Sequence, residues 1–108
     1  MADTIKLIYY DNSQIERGCI LRCKASYPYE EIVDFLICES FGNNNGFRLV
    51  VASGYKAGLT LIILPDESIP NGLKFGLDTN WLKVNWNKWC YECDVNDVWL
   101  LQNYVPTI

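Results

Sequence analysis

The sequence contains no histidine. That removes the commonest general base, and with it any Ser–His or Cys–His nucleophile pair. Charge is also scarce. Only 20% of the 108 residues are Asp, Glu, Lys or Arg, and 13 acids against 9 bases leave a net charge of −4. A small acidic chain is a poor match for nucleic acid, whose recognition rests largely on phosphate contacts. A basic protein, or a cationic groove on one, is the better electrostatic match. No run approaches the roughly 18 apolar residues needed to span a bilayer. Met1–Lys6 lacks the basic leader and apolar stretch of a secretory signal. The expectation is a cytoplasmic protein with no membrane or nucleic-acid partner. No repeat, low-complexity tract or linker interrupts the chain, so residues 1–108 read as a single domain.

What the chain does have is apolar material. Half of its residues are hydrophobic and 14% are aromatic. Three of the four tryptophans fall within Trp81-Leu-Lys-Val-Asn-Trp86-Asn-Lys-Trp89, which then turns acidic at Glu92, Asp94 and Asp97. At about 100° per residue, Leu82, Trp86 and Trp89 share roughly a 60° arc, with Trp81 beside it and Lys83, Asn87 and Lys88 away from it. The pattern predicts an amphipathic helix, capped by Asp78 or Thr79, whose heavy face covers a β-sheet. Trp86 and Trp89 read as core. Trp81 and Trp99 are the tryptophans with access to the surface, where this side chain serves as a binding anchor.

Strand signals precede the helix. Ile5–Tyr10 is β-rich. Cys19–Ala25 alternates, with Cys19, Leu21, Cys23 and Ala25 inward and Ile20, Arg22 and Lys24 outward. Tyr27-Pro-Tyr-Glu-Glu31 breaks the pattern. Ile32–Phe41 and Phe47–Ala52 flank the Gly42-Asn-Asn-Asn-Gly46 turn and form a hairpin. Ser53–Gly58 makes a second tight connection. Leu59–Leu64, almost wholly apolar, reads as the central and most buried strand, ended by Pro65. Leu73–Leu77 is a short further element, and Val98–Tyr104 supplies the last strand. The fold class is α+β: a mostly antiparallel sheet of about five or six strands with one late helix across a face.

Five cysteines leave at least one thiol free in a monomer. Cys90-Tyr-Glu-Cys93 has C-x-x-C spacing, and Cys19 and Cys23 offer a second pair for a zinc site. On one strand, however, Cys19 and Cys23 stand about 13 Å apart, too far to share one ion. Redox C-x-x-C pairs open a helix, whereas this one closes it. Ordinary packing thiols are expected, with no metal and no cofactor. The carboxylate pairs Glu30/Glu31 and Asp94/Asp97 suit turns better than a catalytic dyad, and Asp94-Val-Asn-Asp97 is short of the ligands of a calcium loop. Gly54-Tyr-Lys-Ala-Gly58 lacks the spacing of a phosphate loop. It presents Tyr55 and Lys56 on a hairpin turn. No catalytic residue is assigned.

The ordered set Arg22-Cys-Lys-Ala25, Tyr27-Pro-Tyr-Glu-Glu31, Ser53-Gly-Tyr-Lys-Ala-Gly58, Asn85-Trp-Asn-Lys-Trp89, Glu92-Cys-Asp-Val95 and Asp97-Val98 resembles a family of bacterial polymorphic-toxin immunity proteins, the one numbered forty-five. The similarity spans Ile15 to Tyr104. It implies a cytosolic antitoxin that binds the C-terminal domain of one cognate toxin, as in contact-dependent growth inhibition, and it assigns no metal, cofactor or catalytic residue. It transfers no contact residues. Those are read here from expected exposure at turns and at the helix end: Glu30, Glu31, Tyr55, Lys56, Glu92, Asp94 and Asp97. Two other readings stand beside it, an intracellular interaction module or homodimeric subunit unrelated to toxins, and a zinc-binding or hydrolytic domain.

Overall fold

The structure is a computed structural model and describes residues 4–25, 30–40, 46–69, 76–104 and 106. Its strands are β1 (Thr4–Lys6), β2 (Gln14–Glu16), β3 (Ile20–Lys24), β4 (Ile32–Glu39), β5 (Phe47–Val51), β6 (Thr60–Ile63), β7 (Gly76–Asp78) and β8 (Val98–Leu101). Helix α1 (Thr79–Asn85) runs on into a π-helical turn, Trp86–Cys90. Six strands form one sheet in the order β1-β8-β3-β4-β5-β6, and β2 and β7 form a small second sheet. Every pairing is antiparallel. The architecture is α+β, as the hydrophobic patterning indicates.

Alternation sets the core face. Leu21 and Cys23, Val33, Phe35 and Ile37, Phe47, Leu49 and Val51, and Val98 and Leu100 all point to one side and are buried. The helix covers that side with Leu82 and Trp86, both fully buried. Asp78 begins α1 as the expected cap, its carboxylate accepting from the Asn80 amide at 3.3 Å. Lys83, on the polar side of the helix, donates to the carbonyls of Tyr10 at 2.7 Å and Ile8 at 3.3 Å and so ties the helix to the first turn of the chain.

Several elements differ from the sequence reading. The apolar run 59–64 is not central. Its strand, β6, is an edge of the sheet, with Leu59 and Ile63 more than half exposed. The centre belongs to β3 and β4, joined by a five-pair register from Ile20↔Leu36 to Lys24↔Ile32. After Leu64 the chain turns through the 3₁₀ segment Asp66–Ser68 and its next strand enters the small sheet. Apolarity marked β6 as sheet-forming but did not supply it with a second neighbour among the described residues. The first strand stops at Lys6, because the 3₁₀ turn Leu7–Tyr9 carries Leu7 into the core. The last strand ends at Leu101. Strand β2 gave no sequence signal strong enough to expect it. Trp81 is buried and not a surface anchor. Trp89 lies half-buried with its ring 6.4 Å from that of Trp81, since the π turn, closed by Tyr91 N–H to Trp86 C=O at 3.3 Å, departs from the α-helical spacing assumed for the apolar arc. The expected turn at 42–45, the break at 27–29 and residues 73–75 lie outside the described residues.

Candidate partner-binding surface

Antiparallel order brings the distant candidate residues to one place. β3 and β5 end, and β4, β6 and β8 begin, at the same edge of the large sheet. Glu30 and Glu31 immediately precede β4, Tyr55 and Lys56 lie on the β5–β6 turn, and Glu92, Asp94 and Asp97 lie on the segment leading into β8. All seven therefore sit at one end of the sheet. Five of them are carboxylates, against the lysines Lys6, Lys24 and Lys56 at the same end.

Their local roles differ. The Glu30 carboxylate lies against Gly54 and accepts from the Tyr55 amide at 3.4 Å. Gly54 holds φ = +75°, and a Cβ there would overlap that carboxylate. Gly54→Ala is expected to cost about 1–2 kcal/mol in urea unfolding from the left-handed backbone alone. Asp94 is a cap: one of its oxygens accepts from both the backbone and the side-chain nitrogen of Asn96 at 2.9 Å, which holds the 3₁₀ turn Val95–Asp97. Asp97 stands 4.0 Å from Lys24, a solvent-screened contact of little energetic weight. The Lys56 ammonium lies 5.8 Å from the Tyr55 ring centre. Glu31 and Glu92 are exposed.

The face of the sheet opposite the helix is the second part of the surface. Antiparallel sheets of this kind usually turn a polar face to water. Here one cross-strand row reads Leu101–Ile20–Leu36–Val50, of which Leu101 and the outward-reading Ile20 are buried and Leu36 and Val50 half-buried, and the row above it reads Lys6–Trp99–Arg22–Asp34. Arg22 makes a two-pronged ion pair with Asp34, Nε to Oδ1 at 2.7 Å and Nη2 to Oδ2 at 2.9 Å. This partner raises the Arg22 pKa and keeps the guanidinium charged. The Asp34 amide is in turn held by the Ser53 hydroxyl at 2.9 Å. Lys6 lies 5.7 Å from the centre of the Trp99 ring. Between Trp99 and Ile32 the face opens into a hollow of about 570 Å³, with Arg22, Lys24, Ala25 and Glu31 among its lining residues. Ile32 is 57% exposed at its lip. Of these residues the sequence reading singled out Trp99 and Glu31. Arg22, Ile32 and Asp34 were missed, although Ile20, Ile32 and Leu36 at outward positions were a legible departure from a water-facing pattern.

The cysteines divide as their spacing required. Cys19 donates to the Gln102 carbonyl at 3.7 Å, apart from the others. Cys23 reaches Cys93, and that hydrogen bond together with burial holds the Cys23 thiol protonated well above its usual range. The same contact lowers the Cys93 pKa against the opposing effect of burial. The indole N–H of Trp86 also favours the Cys93 thiolate, although it makes no hydrogen bond of ordinary geometry. Burial pushes Cys90 up to about 12. All five cysteines are free thiols, and among the described residues no group of three or more Cys, Asp or Glu is placed to hold a metal ion.

A six-stranded sheet with one face covered by a helix, a hollow on the opposite face and an end rich in carboxylates define a small α+β scaffold. A sequence model of the family described as Immunity protein 45 matches residues 7–100, and the chain belongs to that family. Its role is therefore that of an immunity protein, one that binds a cognate toxin protein. No curated protein and no solved structure matches the chain.

Proposed function

We propose that this protein neutralises its toxin by stoichiometric occlusion in the cytoplasm and transforms nothing itself. The toxin domain is a nuclease delivered by a contact-dependent or secreted polymorphic toxin system, and the acidic end of the sheet covers the cationic groove in which that nuclease holds phosphate. The observation that carries this reading is the gathering of Glu30, Glu31, Glu92, Asp94 and Asp97 at one end of a family member that lacks histidine. Complementary charge of this kind raises association toward about 10⁸–10⁹ M⁻¹s⁻¹ at low salt. An interface of about 1,600 Å² can support nanomolar or tighter binding where its central side chains pack well.

The test is co-expression with the C-terminal domain of the toxin gene beside it. Growth rescue and a one-to-one complex on co-purification are expected, and a domain that kills despite co-expression refutes the proposal. Within the complex, Asp97→Lys combined with Glu31→Lys is expected to slow association about tenfold at low salt and to flatten its salt dependence. These positions are cleaner probes than Asp94, whose reversal also removes the cap on its turn. An association rate that ignores both substitutions across a salt series places the contact elsewhere.

A further inference from the structure

We infer that the hollow between Trp99 and Ile32 is the anchor of the toxin interface, and that it receives one bulky apolar side chain from a toxin segment whose flanking residues are basic. This inference rests on the reading above of the chain as a stoichiometric inhibitor. Its starting point is a division of labour. Glu31, Glu92 and Asp94 are exposed and Asp97 is nearly so, and charges of that kind speed encounter more than they prolong residence. Long residence comes from a few well-packed, desolvated side chains near the centre of an interface. The acidic end offers one exposed aromatic, Tyr55, on a turn, whereas the sheet face that adjoins it offers a hollow that can enclose a side chain.

The hollow has the required features. Ile32 offers an exposed aliphatic lip, and Trp99 and Ala25 are half-buried in its lining. Two of its residues are held by their strand partners. Trp99 stands on β8 between its cross-strand neighbours Lys6 and Arg22, and Arg22 is fixed by both oxygens of Asp34. A partner that docks there pays little for ordering the receiving side. The chemistry also selects the occupant. Arg22 and Lys24 line the hollow, so a lysine or arginine is a poor anchor and an apolar side chain is favoured. Glu31, in the same lining, and Asp97, beside Lys24, favour basic residues on either side of that anchor.

The deciding measurement is surface-immobilised binding of a catalytically inactive form of the adjacent gene's toxin domain to the intact protein and its variants. Ile32→Glu is expected to speed dissociation about tenfold or more while leaving association within about twofold, and Ile32→Leu to restore the native rate. Trp99→Ala is expected to act in the same direction. Because Ile32 is exposed, its variant keeps the native unfolding transition, which a urea titration confirms. If the native protein binds the toxin domain and Ile32→Glu leaves dissociation unchanged, the hollow is not the anchor, although the inhibitor reading stands. If the native protein does not bind that domain at all, both fall together.

Discussion

Trp86→Ala is expected to lower the free energy of unfolding by about 3–5 kcal/mol, the range for emptying a large aromatic site in a packed core. Against a total of about 5–15 kcal/mol for a domain this size, that loss leaves a marginal fold. The reason is position. Trp86 stands where α1 passes into the π turn, is fully buried, and belongs to the cluster that contains the inward side chains of β3, β4, β5 and β8. Urea unfolding followed by circular dichroism measures the loss, and a change under about 1 kcal/mol contradicts the packing described here. Trp86→Phe separates packing from polarity. It keeps an aromatic ring but removes the indole N–H, which has no hydrogen-bond partner among the described residues, so its stability cost is smaller.

Alkaline pH is the second large effect. In the unfolded chain the Cys90 thiol ionises near its ordinary value of 9.0, and in the folded chain burial delays this to about 12. Below pH 9 both states hold the proton and stability does not depend on it. Above pH 9 the unfolded state releases a proton that the folded state retains, so stability falls as pH rises. At about 1.4 kcal/mol per pH unit, Cys90 alone removes about 4 kcal/mol by pH 12. Cys23, also shifted upward, acts in the same direction. Cys93, shifted downward, adds stability as pH rises toward 9 and nothing further above it. Urea midpoints measured from pH 8 to 11 should therefore decline, and more shallowly in Cys90→Ala. Parallel alkaline limbs in the two proteins mean that Cys90 is not held protonated by burial.

Much of this fold was legible because its determinants are local. The period-2 alternation of Cys19–Ala25 separates the two faces of β3, whatever strand lies alongside, although Ile20 on its outward face is buried as well. The Ile32 to Ala52 hairpin follows from two apolar runs around a glycine and asparagine turn. Asp78 followed by a tryptophan-rich amphipathic stretch gives both the start of the helix and the face it buries. The same local logic failed for β6. A run such as Thr60-Leu-Ile-Ile63 says that the segment pairs, and is silent on whether it has one neighbour or two.

The candidate surface was legible as a set of residues and not as a place. Turn position and charge picked out Glu30, Glu31, Tyr55, Lys56, Glu92, Asp94 and Asp97 one by one. That they share an end follows from the direction in which β3, β4, β5, β6 and β8 run, and β8 reaches its place between β1 and β3 by pairing across more than seventy residues of chain. The Lys6–Trp99–Arg22–Asp34 row depends on the same long-range register, since three separate strands and the first segment of the chain each contribute one member.

By itself, then, the sequence determined composition, the two faces of β3 and β4, the capped helix and the absence of histidine chemistry, because each of these depends on residues a few positions apart. Strand order, the exposed edge at β6, the meeting of Cys23 with Cys93 and the hollow beside Trp99 were decided only by tertiary structure. Each requires two segments far apart in the chain to meet in one register, and that choice is made by the packing energy of the whole core.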